Sequence, residues 1–354
     1  MTTDHDGVRA LLGAWAFGAL PPQEEKAVPL HLGECESCAA EAERLRETAR
    51  LLGGPRGTAM INGCAERGGS SPGEPEGLLA LALRSRPAAP RVASHAAPYA
   101  GAVAGLQALL RELAGSEPSW GTPVVHDWDV HATVGHLIAA DEPFARSLGL
   151  DRREPVTPAA EDTPWEVAWN VRTADVIAYE RRRTPEETVA AWAAQADALL
   201  ATPEALDPER AAHALTLMGI RLPVADHFLV RAFETWIHTD DIGRALGLAV
   251  PPPPGPHLWQ LVRLAVRILG MTLGTTAPPV LFTVAGEEGD ERDDAQWVLG
   301  SEDEPVRAEL VLEAVDFCLL VGGRYAPDEV PRGTSGDEAA VRNVLERAAA
   351  LSWL

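Results

Sequence analysis

The chain of 354 residues is 46% hydrophobic and 23% charged, a balance that fits two or three globular domains and excludes a fibrous or wholly disordered chain. Its 52 acidic against 30 basic residues leave a net charge of −22, a field that repels nucleic-acid phosphates, so direct DNA binding is not expected. No apolar run reaches the roughly 18 residues of a membrane span, and Met1 leads into Thr2-Thr3-Asp4-His5-Asp6 with no basic segment ahead of an apolar one, so the expected location is the cytoplasm.

In chain order, Gly7 to Ala19 reads as a helix stopped by Pro21-Pro22. Gln23 to His31 reads as a second, with acidic residues in its first turn, and about Ala39 to Leu52 as a third. Eight glycines, Ser70-Ser71 and three prolines between Gly53 and Gly77 read as a flexible linker. Glu76 to Arg86 has the form of one more short helix, apolar at Leu78, Leu79, Leu81 and Leu83. From Ala96 the helices lengthen. Ala96 to Leu113 carries Leu106, Leu109, Leu110 and Leu113 at three- and four-residue spacing, Asp129 caps a helix to about Leu148, and Thr163-Pro164 opens another that ends near Arg183. Thr184-Pro185-Glu186-Glu187 has capping-box form for a helix to about Leu200, and Pro223 starts a strong helical stretch ending at Gly247. One apolar stripe per helix predicts a bundle. After the stiff run Pro251 to Pro256, His257 to Leu273 reads as a helix and Asp337 to Leu351 as another. Val280 to Val284, Gln296 to Leu299 and Ala308 to Leu312 read as short strands between them. The expected architecture is mainly α: a small helical domain over residues 1–52, a linker with a short helix over 53–92, a helical bundle over 93–250 and an α+β domain over 251–354.

The four cysteines, Cys35, Cys38, Cys64 and Cys318, are too few and too uneven for a disulfide framework. His31-Leu32-Gly33-Glu34-Cys35-Glu36-Ser37-Cys38 places one imidazole and two thiols close together, donors that suit tetrahedral Zn²⁺. Three ligands leave one place open, and His5, across a helical hairpin, is the candidate that closes it. A closed site would staple a unit of about 50 residues whose core alone is too small. The plainer alternative is a surface Cys-x-x-Cys beside an incidental histidine. A third is redox chemistry, because zinc thiolates oxidise and metal loss would unfold so small a unit.

Leu12 to Leu20, Pro22, Glu24-Glu25, His31-Leu32, Cys35, Cys38 and Glu41 to Leu45 resemble the zinc-binding anti-sigma factor domain. In that family a helical hairpin, a zinc knuckle and a following helix grip a sigma factor. The resemblance covers about the first 52 residues and implies structural Zn²⁺ on His5, His31, Cys35 and Cys38, with a sigma factor as partner. Position 5 often holds cysteine in the family, and the chain lacks the transmembrane segment of its simplest members, so any signal sensed would be internal.

Glu234-Thr235-Trp236-Ile237-His238 sets a carboxylate and an imidazole four residues apart, on one face of the helix that Pro223 opens. His227, Arg231 and Asp241 extend that stripe, and Phe228, Phe233, Trp236 and Ile237 flank it, as expected of an internal polar site. On the helix begun by Asp129, His136 stands among Ala132, Thr133 and Ala140, whose small side chains leave room for an ion or ligand. Two histidines and a glutamate make an open three-ligand set suited to a catalytic Zn²⁺ or another divalent ion. Periodicity alone does not join His136 to the other two, and a core histidine with an exposed Glu-His pair is the alternative.

Trp128 to Asp141 and, far downstream, Phe233 to Ile242 resemble the mycothiol-dependent maleylpyruvate isomerase family, whose metal domain is a DinB-like four-helix bundle. Gly323-Arg324 and Gly336-Asp337 resemble that family's second, sterol-carrier-like α+β domain. The resemblance implies metal ligands at His136, Glu234 and His238, and mycothiol as a thiol that the ion turns into thiolate at neutral pH. The family reaction adds this thiolate to a conjugated double bond, allows rotation about the resulting single bond, and eliminates to give the trans product. A cation near the metal must hold the substrate carboxylates, and Arg231 is the candidate, with Arg221 and Arg244 behind it.

Two functions from different classes follow from this fusion. One is an isomerase or S-transferase that uses mycothiol on a small electrophile, and the other is a cytoplasmic anti-sigma factor whose bundle senses thiol or ligand state. His95, His126, His131, His213 and His257 lack ligand partners at useful spacing and read as surface residues. Trp128 and Trp236, beside the proposed ligands, are candidate pocket walls with core filling as the default reading, Cys318 reads as core, and Cys64 as an exposed linker thiol.

Overall fold

The structure is a computed structural model that describes residues 5–16, 27–35, 37–45, 91–113, 117–156, 163–286 and 294–351. It divides into two units, Met1–Pro87 and Ala88–Leu354. The linker read over residues 53–77 and the short helix read over 76–86 lie outside the described residues, as does Cys64.

In the first unit, α1 (His5–Ala16) packs against α2 (Ala27–Glu34), and residues 37–45 form a third helix, α3. Among the described residues, Val8, Leu12, Val28, Cys38 and Ala42 form a buried apolar cluster, with Trp15, Leu32 and Leu45 packed around it, and Ala16 is buried too. So small a cluster calls for a covalent or metal staple.

The second unit is built on four long helices: α4 (Ala97–Glu112), α6 (Val130–Ser147), α8 (Pro185–Leu200) and α10 (Val224–Leu246). α4 lies against α8 and α10, and α6 closes the ring by packing on the same two, which makes a four-helix bundle. A fifth long helix, α7 (Trp165–Glu180), lies along α6, and two one-turn helices, α5 (Glu117–Trp120) and α9 (Pro203–Leu206), fill connections. The caps have the chemistry that their residues dictate. Asp129 accepts a 2.7 Å bond from the Ala132 N–H at the start of α6, and Thr184 and Glu187 form a reciprocal capping box on α8. Gly247 ends α10 in the left-handed conformation, φ 68°.

Two antiparallel hairpins, β1 (Pro123–Val125) with β2 (Trp128–Asp129) and β3 (Ala214–Leu217) with β4 (Ile220–Pro223), were not anticipated. Their strands are too short to show alternation. Each leads directly into a ligand-bearing helix, α6 or α10.

Beyond α10, α11 (Gly255–Leu273) precedes a four-stranded sheet of order β6-β5-β7-β8, formed by β5 (Val280–Ala285), β6 (Ala295–Leu299), β7 (Ala308–Glu313) and β8 (Gly333–Gly336). β5 runs antiparallel to β6 and parallel to β7, and β8 is antiparallel to β7. α12 (Ala314–Val321) and α13 (Glu338–Ala349) pack with α11 on the face where Leu310, Leu312 and Phe282 are buried. Cys318 is fully buried there, as its apolar setting predicted. α12 also abuts the bundle: a Cβ at Gly322 would lie 3.0 Å from Ile237 of α10. The chain is mainly α, and no helix among the described residues is long and apolar enough to cross a membrane.

Gly336 adopts φ 84°, and a Cβ there would meet the Arg307 carbonyl oxygen at 2.4 Å and the Ala308 Cα at 2.9 Å. Both are backbone atoms, one just before and one at the start of the neighbouring strand β7, and cannot step aside. Gly336→Ala is expected to destabilise the second unit by about 2 kcal/mol or more, read as a lowered thermal midpoint. An unchanged midpoint would show that the strand end is held more loosely.

Candidate metal centres

The hairpin of the first unit brings together the four residues named for the knuckle. One donor atom from each of His5, His31, Cys35 and Cys38 lies within 4.8 Å of every other. His5 Nδ1 is 3.7 Å from Cys35 Sγ and 3.8 Å from Cys38 Sγ, and the His5 and His31 rings are 5.3 Å apart. His31 Nε2 is buried without a hydrogen-bond partner. The Ser37 hydroxyl, then the Cys38 backbone N–H, hold the Cys35 thiol down to about 6, whereas burial raises that of Cys38. Two thiols and two imidazoles form a closed, sulfur-rich set, and the donors fit a structural Zn²⁺.

In the second unit, α6 and α10 face each other with His136, Glu234 and His238 at their interface, donor atoms again within 4.8 Å of one another. All three are at most 2% exposed. His136 Nε2 lies 2.9 Å from Glu234 Oε1, and the two imidazoles are edge to face with centroids 5.0 Å apart. His136 Nδ1 and His238 Nε2 are buried and find no hydrogen-bond partner. A folded chain rarely leaves several such atoms unmatched in one place, and a divalent cation is what a carboxylate and two imidazoles would jointly accept.

The neighbours fix the state of each donor. His238 Nδ1 lies 3.0 Å from Asp241 Oδ2, so its N–H donates there and the Nε2 lone pair is left free. Asp241 is gripped from the α+β layer by Arg324, whose Nε donates at 3.0 Å to Oδ1 and whose Nη2 reaches Oδ2. Burial would raise the Asp241 carboxyl, but His238 and Arg324 outweigh it and hold the group at about 2. Burial lowers the imidazole of His238 below the ordinary 6.5, favouring its neutral form. Burial likewise works against the Glu234 carboxylate, yet Arg231, His136 and His238 bring it to about 2.

Arg231, named as the candidate substrate anchor, is 3% exposed and its guanidinium is already between two protein carboxylates. Nη1 contacts Glu234 Oε2 and lies 3.8 Å from Asp141 Oδ1. Arg244 pairs with Asp240 at 2.6 Å, and Arg221 is exposed on β4. Trp128 stacks on His136, rings 4.4 Å apart at 27°, and forms a wall of the site. Trp236 does not. It sits on the opposite side of α10, edge-on to Phe233 at 6.1 Å, beside a separate apolar cavity of about 360 Å³ that Gly101, Gly105 and Pro252 help to line.

Trp169, edge-on to His136 at 6.2 Å, has no signal in the sequence, because only the pairing of α7 with α6 brings it there. Asp141 had one, as an acid inside an apolar stretch of α6. Of the histidines read as surface residues, His126 is exposed, at φ 53° in the β1–β2 turn, with its ring 5.0 Å from Trp128. His95 and His131 are instead half-buried, bonded at 2.9 Å to the Glu204 carbonyl and the Thr188 hydroxyl respectively.

A family model described as the mycothiol maleylpyruvate isomerase N-terminal domain matches residues 99–243, which include His136, Glu234 and His238. A second, described as a putative zinc-finger, matches residues 6–39, which include His31, Cys35 and Cys38. No curated protein matches the chain. Two solved structures, of a mycothiol-dependent maleylpyruvate isomerase and of a histidine-to-alanine mutant of it, are similar to this chain at 16% identity and TM-score 0.45. Each match covers 67% of this chain and 91% of the other. Over residues 99–243 the chain is thus similar to the mycothiol maleylpyruvate isomerase N-terminal domain, and over residues 6–39 to a putative zinc-finger.

Proposed function

We propose that the second unit is a metal-dependent isomerase or S-transferase that uses mycothiol on a small electrophile of the maleylpyruvate type, and that the first unit is a zinc-stapled regulatory module. The observation that carries the enzymatic reading is the convergence of His136, Glu234 and His238, with buried donor atoms left unmatched. A divalent ion bound there would supply a Lewis-acidic centre that lowers the pKa of a thiol. The chain's own groups do the rest. Asp241 keeps the His238 proton on Nδ1, and Arg231 keeps Glu234 ionised in a site from which water is largely excluded. Trp128 and Trp169 wall the site with aromatic surface. No protein thiol is needed as nucleophile, and Cys318, whose thiol is fully buried and pushed well up by that burial, is unsuited to the task.

The converging donors of the first unit favour a second, compatible reading: an anti-sigma module that grips a sigma factor through its helices. An assay of the zinc-loaded full chain with mycothiol and maleylpyruvate is expected to show trans product, with activity lost in His136→Ala. If no model electrophile is converted, and co-expression captures a sigma factor that Cys35→Ala/Cys38→Ala releases, the chain acts as a regulator and the catalytic reading fails.

Metal analysis of the purified chain is expected to give two equivalents, one lost in Cys35→Ala/Cys38→Ala and the other in His136→Ala/His238→Ala. Joint loss in either variant would refute independent centres. The pH response of the bundle site follows from its groups. Protonation of His238 needs a pH below the ordinary 6.5, and Glu234 stays ionised to about 2, so protons do not compete for these donors at neutrality. The bundle equivalent should be retained at pH 7 and released only as pH falls below 6.5, as equilibrium dialysis can follow. Release already under way above pH 7 would contradict this assignment.

A further inference from the structure

We infer that Tyr99 and Asp141 form a buried relay that acts through Arg231 to position Glu234 as a ligand; the inference rests on the metal reading of the bundle site. The relay joins three helices. Tyr99, fully buried on α4, donates its hydroxyl to Asp141 Oδ2 on α6 at 2.7 Å. Asp141 Oδ1 lies 3.8 Å from Arg231 Nη1 on α10, and the same nitrogen contacts Glu234 Oε2 one turn along that helix. The guanidinium thus takes one oxygen of Glu234, and the other, Oε1, faces His136 Nε2 at 2.9 Å. The position of Arg231 decides which carboxylate oxygen remains for the ligand set.

Arg231 paired with Glu234 alone would compete directly with a cation for that carboxylate. Asp141 draws on the same guanidinium from a second helix, and the Tyr99 hydroxyl fixes where the Asp141 carboxylate sits. Stability alone does not account for the arrangement. Buried ion pairs are commonly no better than apolar packing of the same volume, and these side chains are each at most 3% exposed. Burial also works against the charge of Asp141, raising its carboxyl to about 7 even with Arg231 beside it. A group kept at that cost, on the far side of a ligand's own partner, is accounted for by orientation. Tyr99 and Asp141 are therefore positioning residues.

The test uses the full chain in wild-type form and as Tyr99→Phe and Asp141→Asn, changes that remove one hydroxyl or one charge with little change in side-chain volume. Zn²⁺ affinity of the bundle site is measured by chelator competition, with Cys35→Ala/Cys38→Ala added to isolate that step, and Co²⁺ spectra report ligand geometry. Each variant is expected to weaken binding about tenfold or more and to shift the visible Co²⁺ bands, with far-UV circular dichroism unchanged. The double variant should cost less than the product of the two effects, because both act through Arg231. Variants that bind Zn²⁺ and display Co²⁺ spectra like the wild type, even with a lower thermal midpoint, would reduce the relay to a structural tie and overturn the inference. A wild-type chain that takes up no metal sensitive to His136→Ala/His238→Ala would overturn the metal reading itself.

Discussion

The buried carboxylate of Glu234 is the constraint around which the second unit is arranged. A carboxylate that is 1% exposed must be matched by positive charge or donors, and here it is matched on both oxygens by groups from different positions. Arg231, one helical turn away on α10, takes Oε2, and His136, from α6, approaches Oε1. α10 can supply both the carboxylate and its cation only because positions three and four apart share a face. The same spacing places His238 and Asp241 further along. Opposite that face, Ala232 and Trp236 are free to serve as apolar contacts with the rest of the bundle.

The α+β layer is tied into the same network. Arg324 follows the end of α12 and reaches Asp241, the acceptor of the His238 N–H, through two of its nitrogens. Its Nη1 also donates to the Gly322 carbonyl, so the guanidinium is held at its own backbone while it holds the aspartate. Glycine at 322 permits the approach, since a side chain there would press on Ile237. The polar link runs from the sheet domain to a candidate ligand through side chains that are at most 10% exposed. A change in the packing of that layer would be transmitted first to the tautomer and direction of His238.

Much of this was legible in the sequence, and what was not has a physical reason. The long helices announced themselves through their caps and stripes: Asp129, Thr184 with Glu187, and Gly247 bound them in the structure as the residue chemistry dictates. The Glu234–His238 pair was readable because four residues make one helical turn. The approach of His136 to that pair, and of Trp169 to His136, depends on how helices pack against one another, about which periodicity says nothing. The two hairpins were missed because strands of two to four residues carry too little alternation. β8 was missed because Gly333-Thr334-Ser335-Gly336 is exposed throughout and bears no apolar residue. α12 was missed because its apolar run follows β7 without a glycine or proline between them. Trp236 keeps the core-filling role that was its default reading and is no pocket wall, since neighbours in sequence on a helix point about 100° apart and two positions from each ligand is nearly the opposite face.

The two candidate centres differ in the kind of chemistry they expose. The knuckle offers sulfur, with Cys35 only half-buried and its thiol held at about 6, so a substantial fraction is thiolate at neutral pH and open to oxidants and soft metals. The bundle site offers only nitrogen and oxygen, fully buried, with no cysteine among its three donors. An oxidant that converts Cys35 would dissolve a unit whose described core is little more than Val8, Leu12, Val28 and Ala42. The same oxidant finds no thiol among the bundle donors to attack. The two donor sets thus differ in redox chemistry: one contains two thiols and the other none.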